Sequence, residues 1–208
     1  MADDDGWETV PQKTDKKRQA KANKAMGVLP WISHIPPTDQ NSDFAPSVLL
    51  LCGIPGSGKS TFASSLQTAM PYKFVRINQD ELGNRLKCEE LARTALTNRQ
   101  VAVIDRCNFD PKQRSSFVNI AAEFGVPVDC VVLSLDSLVT VDDCIRRCQQ
   151  RRNHPGLSAQ DAKGVVLQMA KQMSPPPKNN NTEGIRKVVH ITDVNMFNDT
   201  LVTFMNQK

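Results

Sequence analysis

Lys59, Ser60, Asp80, Asp105 and four arginines between positions 146 and 152 have residue types and spacing that suit phosphate chemistry. Gly53, Gly58, Lys59 and Ser60 satisfy the spacing G-x-x-x-x-G-K-[ST], the P-loop, with Gly56 as a further glycine inside it. Glycines there let successive backbone N–H groups turn inward on a phosphate. The helix that follows adds the positive end of its dipole. In such a loop Gly53, Ile54, Pro55, Gly56, Ser57, Gly58, Lys59, Ser60 and Thr61 surround a nucleotide. The Lys59 amine reaches its β- and γ-phosphates, and the Ser60 hydroxyl ligates Mg²⁺. The alternative is a chance match on a glycine-rich turn. It is disfavoured by context: Val48–Cys52 reads as a buried strand, and "STFASSLQTAM" as a helix packing Phe62, Leu66 and Met70.

Three further clusters fall where strands should end. In "RINQDELGNR", Asp80 follows a strand by three residues and could accept a proton from an attacking hydroxyl; the other reading is a carboxylate favoured by a helix N-terminus. In "VAVIDRCNFD", Asp105 closes an apolar run, the arrangement of a carboxylate that holds Mg²⁺; the other reading is a capping aspartate before a loop. Asn108 or Asp110 could cap a helix starting at Pro111. In "DDCIRRCQQRRNHPG", Arg146, Arg147, Arg151 and Arg152 gather at a helix end. They suit either that helix C-terminus or a lid that clamps a transferring phosphoryl group, with Arg147 and Arg151 on one face.

The elements that must position these residues alternate. Strands read at 48–52, 73–77, 101–105, 128–135 and 187–191, with helices at 59–69, about 80–97, 111–124, 138–152, 158–173 and near 195–206. Such alternation predicts an α/β fold, a parallel sheet with helices on both faces. In an open sheet of this kind ligands sit outside the carboxyl ends of the strands, where the clusters fall.

The 208 residues suit one domain, 45–208, preceded by a tail, 1–44. The tail carries an acidic start, a basic run from Lys13 to Lys24 and a Pro-rich exit, and its low hydrophobicity predicts disorder over much of it. The basic run reads as a solvated charge stretch, with a nuclear localisation signal or a nucleic-acid arm as alternatives. "GVLPWISHIPP" is apolar enough to dock on the domain or on a protein partner. The net charge is +4, and residues 45–208 hold 20 basic against 15 acidic side chains, which permits a polyanionic substrate. Six scattered cysteines without C-x-x-C spacing point to reduced thiols. Three well-separated histidines disfavour a zinc site. No apolar run approaches a membrane span, and the acidic N-terminus lacks a signal core. The expectation is therefore a nuclear or cytoplasmic monomer, neither secreted nor bound to a membrane.

"GIPGSGKST", "INQDELGNR", "AVIDRCNFDPKQRSSF", "FGVPVDCVVL" and the arginine-rich segment, in this order and spacing, resemble the polynucleotide 5'-kinase family over about residues 46–193, most closely the kinase modules of polynucleotide kinase-phosphatase and aprataxin-like proteins. The resemblance implies a P-loop kinase fold with strand order 2-3-1-4-5. It implies ATP or GTP with Mg²⁺ as cofactors, and the 5'-hydroxyl of DNA or RNA as acceptor, in repair or processing. It puts Asp80 on the general base, Lys59 and Ser60 on the P-loop lysine and metal hydroxyl, Asp105 on the acid after the third strand, and Arg151 on the lid arginine. Gln79 departs from the usual arginine beside the base. Gly83 stands where some members have a phosphate-binding arginine. Arg76, Arg85, Arg106 and Arg114, at or just past strand ends or in the following helix, are candidates for contacts to the nucleic-acid backbone. A kinase for a small acceptor such as a nucleoside or sugar, and a non-catalytic nucleotide-binding module, are the competing readings. No H-x-H-x-H cluster and no N-K-x-D after the loop are present. "DDDGW" has no preceding strand to make it a phosphatase motif.

Overall fold

The computed structural model describes residues 44–133, 139–151, 157–178 and 182–207, which all fall in one compact unit. The tail expected over 1–44 lies outside them except for Phe44, as do Arg152 and residues 134–135 of the fourth expected strand. Five strands, β1 (Ser47–Cys52), β2 (Phe74–Asn78), β3 (Val101–Asp105), β4 (Val128–Leu133) and β5 (Lys187–Ile191), form a parallel sheet in the order β2-β3-β1-β4-β5. The helices are α1 (Lys59–Ala69), α2 (Gln79–Leu82), α3 (Arg85–Thr97), α4 (Pro111–Glu123), α5 (Val141–Gln150), α6 (Ala162–Gln172) and α7 (Val194–Asn206). The α/β class, the parallel sheet and its strand order are those expected.

Every residue of β1 and β4 is buried, as the apolar runs Val48–Cys52 and Cys130–Leu133 require of strands covered on both faces, and the buried Asp129 of β4 accepts from the Arg186 guanidinium at 2.9 and 2.6 Å. Val48, Leu50, Ala102, Ile104, Cys130 and Val132 pack against Cys88, Ala92 and Ala95 of α3 and Phe117, Ile120 and Ala121 of α4. Phe62 of α1 meets Phe197 and Phe204 of α7 edge-on, with ring centroids 5.2 and 6.5 Å apart. A separate cluster joins Ile54 of the P-loop to Val139, Cys144, Ile145 and Cys148 around α5 and to Ala162 and Val166 of α6. Cys144 and Cys148, one turn apart, are thus apolar packing on the inner face of α5.

The single helix expected at about 80–97 is two. Gly83, at φ 90°, ends α2 by donating its N–H to the Gln79 carbonyl at 2.7 Å, and Asn84 caps α3 by accepting from the Lys87 N–H at 2.9 Å. A Gly-Asn pair supplies a left-handed stop and a new cap in two residues, and the apolar spacing ran across both.

Lys73, 3% exposed, donates its ammonium to the carbonyls of Phe204, Met205 and Gln207 at the end of α7 and lies over the rings of Phe44 and Phe74. Burial pushes this amine down to about 8, while the three carbonyls oppose its deprotonation. Lys73→Met should lower stability by about 1–3 kcal/mol, the cost of stranding those acceptors. The check is the thermal midpoint, and an unchanged midpoint would show the α7 terminus to be held by packing alone. Among the described residues no helix is long and apolar enough to cross a membrane.

Candidate active site

The site begins at the carboxyl end of β1. The loop leaves Cys52, is stitched to the β3 side by Gly53 N–H to the Cys107 carbonyl at 3.0 Å, and closes on itself by Ser57 N–H to the Ile54 carbonyl. Gly58, at φ 108°, leads into α1, whose N-terminus has no side-chain cap. The α2, α3, α4, α5 and α7 termini are capped by Asn78, Asn84, Asp110, Thr140 and Asp193. α6 also has no side-chain cap, but α1 begins at the end of the glycine loop, where its orphan N–H groups suit an anion. Lys59, 7% exposed, folds its Nζ onto the Ile54 carbonyl at 2.8 Å. Thr61 is exposed on the first turn of α1, and the Ser57 hydroxyl is buried with no hydrogen-bond partner.

Gly56 lies so close to α5 that a Cβ there would fall 2.5 Å from the Cys144 carbonyl oxygen and 2.8 Å from its Cα. Only glycine allows this approach, and it sets α5 against the loop. Arg147 on α5 donates to the Gly56 carbonyl at 3.2 Å. Arg151 is the residue that follows α5, exposed one turn beyond Arg147. Arg146 is paired instead with Asp143, three residues before it.

Ser60, the second residue of α1, donates to Asp105 Oδ1 at 3.2 Å. Asp105 ends β3 and is 3% exposed. A hydroxyl and a carboxylate side by side are hard oxygen donors of the kind Mg²⁺ takes together with nucleotide phosphates. The donor set therefore fits the ion the P-loop implies. Among the described residues no group of three or more His, Cys, Asp or Glu gathers around a metal position, and a phosphate-shared Mg²⁺ needs none. Asp80 sits exposed in the first turn of α2, directly after β2. Because β2, β3 and β1 are neighbours in the sheet, Asp80, Asp105 and the P-loop occupy one edge of it.

Asn108 shapes the turn after β3. It is fully buried at φ 45°, a left-handed conformation that Asn tolerates. Its Nδ2 donates to the carbonyls of Leu51 at 2.9 Å and of Ile104 and Arg106 at 3.3 Å, tying the ends of β1 and β3. Asp110, not Asn108, caps α4.

The arginines divide. Arg106 is partly buried over the Phe117 ring, 5.7 Å from its centroid, and its Nη1 is buried without a partner. Burial pushes its guanidinium down from the ordinary arginine range. Arg85 opens α3, half-exposed, 3.2 Å from Glu89. Arg114 does not fit the expected backbone contact. Its side chain is fully buried, forked onto Glu183 at 2.7 and 2.8 Å, with Nη1 on the Asn108 carbonyl at 2.8 Å. It braces the floor of the site and cannot reach a ligand. Arg76 is likewise engaged with carboxylates, Asp105 and Glu81. Burial pushes the thiols of Cys107 and Cys144 up, Cys144 to about 11, so neither offers a thiolate beside the loop.

Residues 48–176 match the family model described as AAA domain. The chain is 36% identical over 149 residues to "Transcription factor bHLH140" of Arabidopsis thaliana, across 68% of this chain and 15% of that protein. It is 38% identical over 86 residues to "Bifunctional polynucleotide phosphatase/kinase" of Schizosaccharomyces pombe, across 41% of this chain and 21% of that protein. It thus spans about a fifth or less of the length of these relatives. A fungal RNA kinase crystal structure superposes with a TM-score of 0.60 at 14% identity, over 78% of this chain and 43% of that one, a likeness of fold.

Proposed function

The chain belongs to the AAA domain family, and from that premise we propose that it is a kinase of the polynucleotide-kinase kind, which moves the γ-phosphate of ATP or GTP onto the 5'-hydroxyl end of a polynucleotide, a reading supported by the likeness to polynucleotide phosphatase/kinase. The observation that carries this reading is the meeting, on one sheet edge, of the P-loop with Ser60 against Asp105 and with Asp80 at the end of the neighbouring strand β2. A module that only binds nucleotide has no use for a second carboxylate or for an arginine, Arg147, leaning on the loop. The likeness to the phosphatase/kinase of Schizosaccharomyces pombe supports the acceptor class.

In the reaction, Lys59 releases the Ile54 carbonyl and neutralises the β- and γ-phosphates, while the uncapped N–H groups of α1 hold the phosphate oxygens. Ser60 and Asp105 would hold Mg²⁺, which would supply positive charge to offset that of the phosphates. Asp80 takes the proton of the 5'-hydroxyl as its oxygen bonds to the γ-phosphorus. The bond from that phosphorus to the bridging oxygen breaks, and the nucleoside diphosphate leaves with the electron pair. Arg147, with Arg151 one turn on, meets the charge spread over the transferring phosphoryl. Arg85, half-exposed at the start of α3, is the group offered to the acceptor's phosphodiesters, and Arg106, whose Nη1 is buried without a partner, joins it only by turning outward.

Transfer to a single-stranded 5'-hydroxyl oligonucleotide should weaken with salt, because association releases counterions. Between 50 and 200 mM salt, one or two phosphate contacts predict a loss of affinity of roughly three- to sevenfold. Transfer to an uncharged nucleoside should not share this dependence. Efficient phosphorylation of a free nucleoside or sugar, with none of any oligonucleotide, would replace this reading with a small-molecule kinase.

A further inference from the structure

Arg76 is an arginine that its place in the sequence offers to a substrate and its contacts in the fold assign elsewhere. It lies in β2, opposite Val103 of β3, with its side chain 16% exposed. Its guanidinium has two hands. Nε and Nη2 both donate to Asp105 Oδ2, at 2.7 Å each. Nη1 donates to Glu81 Oε1, also at 2.7 Å. Asn78 repeats the pattern: its Nδ2 donates to Asp105 Oδ2 at 2.8 Å, and its Oδ1 accepts the Glu81 N–H at 3.1 Å.

Both straps run from one carboxylate oxygen to one residue, Glu81, the neighbour of Asp80 in α2. That helix is four residues long and ends at Gly83. A single turn closed by one or two hydrogen bonds does not hold itself, because nucleation is unfavourable. Its position is therefore set by what grips it, and the grip leads back to Asp105. On the Asp105 side, three donors saturate Oδ2 and fix the carboxylate so that Oδ1 faces the Ser60 hydroxyl.

We propose that Arg76 is a positioning residue that ties the Asp80 turn to the Asp105 carboxylate, so that the proton acceptor and the metal-side carboxylate keep one fixed separation. The proposal rests on the roles given above to Asp80 and Asp105. Arg76 itself touches neither nucleotide nor acceptor. Its contribution is geometric, and a displacement of about 1 Å at a reacting group can cost about 100-fold in rate.

Three variants of the full chain separate the hands: Glu81→Gln weakens only the hand on α2, Arg76→Met removes both, and Arg76→Lys keeps the charge without the fork. Hydrogen–deuterium exchange of residues 79–82 needs no acceptor and no turnover. It should quicken in Arg76→Met, and to a smaller degree in Glu81→Gln. Turnover should fall by up to about 100-fold in Arg76→Met and roughly tenfold in Glu81→Gln. Affinity for a fluorescent nucleotide should stay within about twofold, and the Mg²⁺ concentration for half-maximal binding should not rise, because a positive charge beside Asp105 has been removed. Arg76→Lys should melt like wild type yet recover little turnover. Unchanged exchange at 79–82 in Arg76→Met would overturn the proposal. So would a parallel loss of melting temperature, nucleotide affinity and turnover, which marks a role in folding alone. Should wild-type protein phosphorylate no polynucleotide, the acceptor reading fails, and the exchange experiment still decides whether Arg76 grips the turn.

Discussion

Lys59→Ala should abolish phosphoryl transfer, by about 10³-fold or more, and leave the fold standing. Removal of one preorganised donor from a developing charge costs about 10²–10³-fold, and Lys59 carries a full positive charge to the phosphates that change most. The fold has little stake in it. The Nζ donates to one carbonyl of its own loop, Ile54, at 2.8 Å, and the loop is held independently by its backbone hydrogen bonds, by Arg147 on the Gly56 carbonyl and by the packing of Ile54. Label transfer from γ-labelled nucleotide reads the first half of the prediction and a thermal melt the second. Near-normal transfer by this variant would remove the P-loop from the reaction.

Asp80→Asn should cost about 10²–10⁴-fold in turnover, the usual scale of a lost general base, with nucleotide affinity almost unchanged. The amide keeps size and shape but accepts no proton. Asp80 is exposed in the first turn of α2, so the substitution disturbs no core. The measurement is a pair: steady-state turnover with an acceptor, and nucleotide binding without one. An equal loss in both would move Asp80 from proton acceptor to a metal or structural role.

Much of this geometry is legible in local sequence. β1, β3 and β4 are legible because apolar runs of four or five residues bounded by loop residues leave few alternatives, while β2 and β5, whose apolar residues are interrupted by Arg76 and His190, are legible from β-branched and aromatic content between turn signals. Asp105 stood out because it ends such a run. Lys59 and Ser60 stood out because glycine spacing and a following amphipathic helix coincide. The split at Gly83 and Asn84 is masked in the sequence because apolar spacing continues across it, although each residue carries its own signal. Arginines were the least legible. A guanidinium near a strand end suits a phosphate and a carboxylate equally well. The partner that decides is distant in sequence: Glu183 lies 69 residues from Arg114, and Asp105 lies 29 from Arg76. The shared face of Arg147 and Arg151 could be read from helical periodicity. The contact of Arg147 with Gly56, 91 residues away, could not. Asn108 carried a hint in its ability to adopt a left-handed turn, but its hold on three carbonyls appears only when the ends of β1 and β3 meet.

As proposed, this sheet edge transfers a phosphoryl group to a 5'-hydroxyl end. The direct test is incubation of the full chain and Mg²⁺ with γ-labelled ATP or GTP and matched DNA and RNA oligonucleotides bearing either a 5'-hydroxyl or a 5'-phosphate, followed by digestion to locate the label. Label should appear as a 5'-phosphomonoester on the 5'-hydroxyl strands, with none on strands already phosphorylated, and the signal should be lost in Lys59→Ala. Nucleotide turned over with the label appearing only in inorganic phosphate or in a free nucleoside or sugar would contradict the proposal.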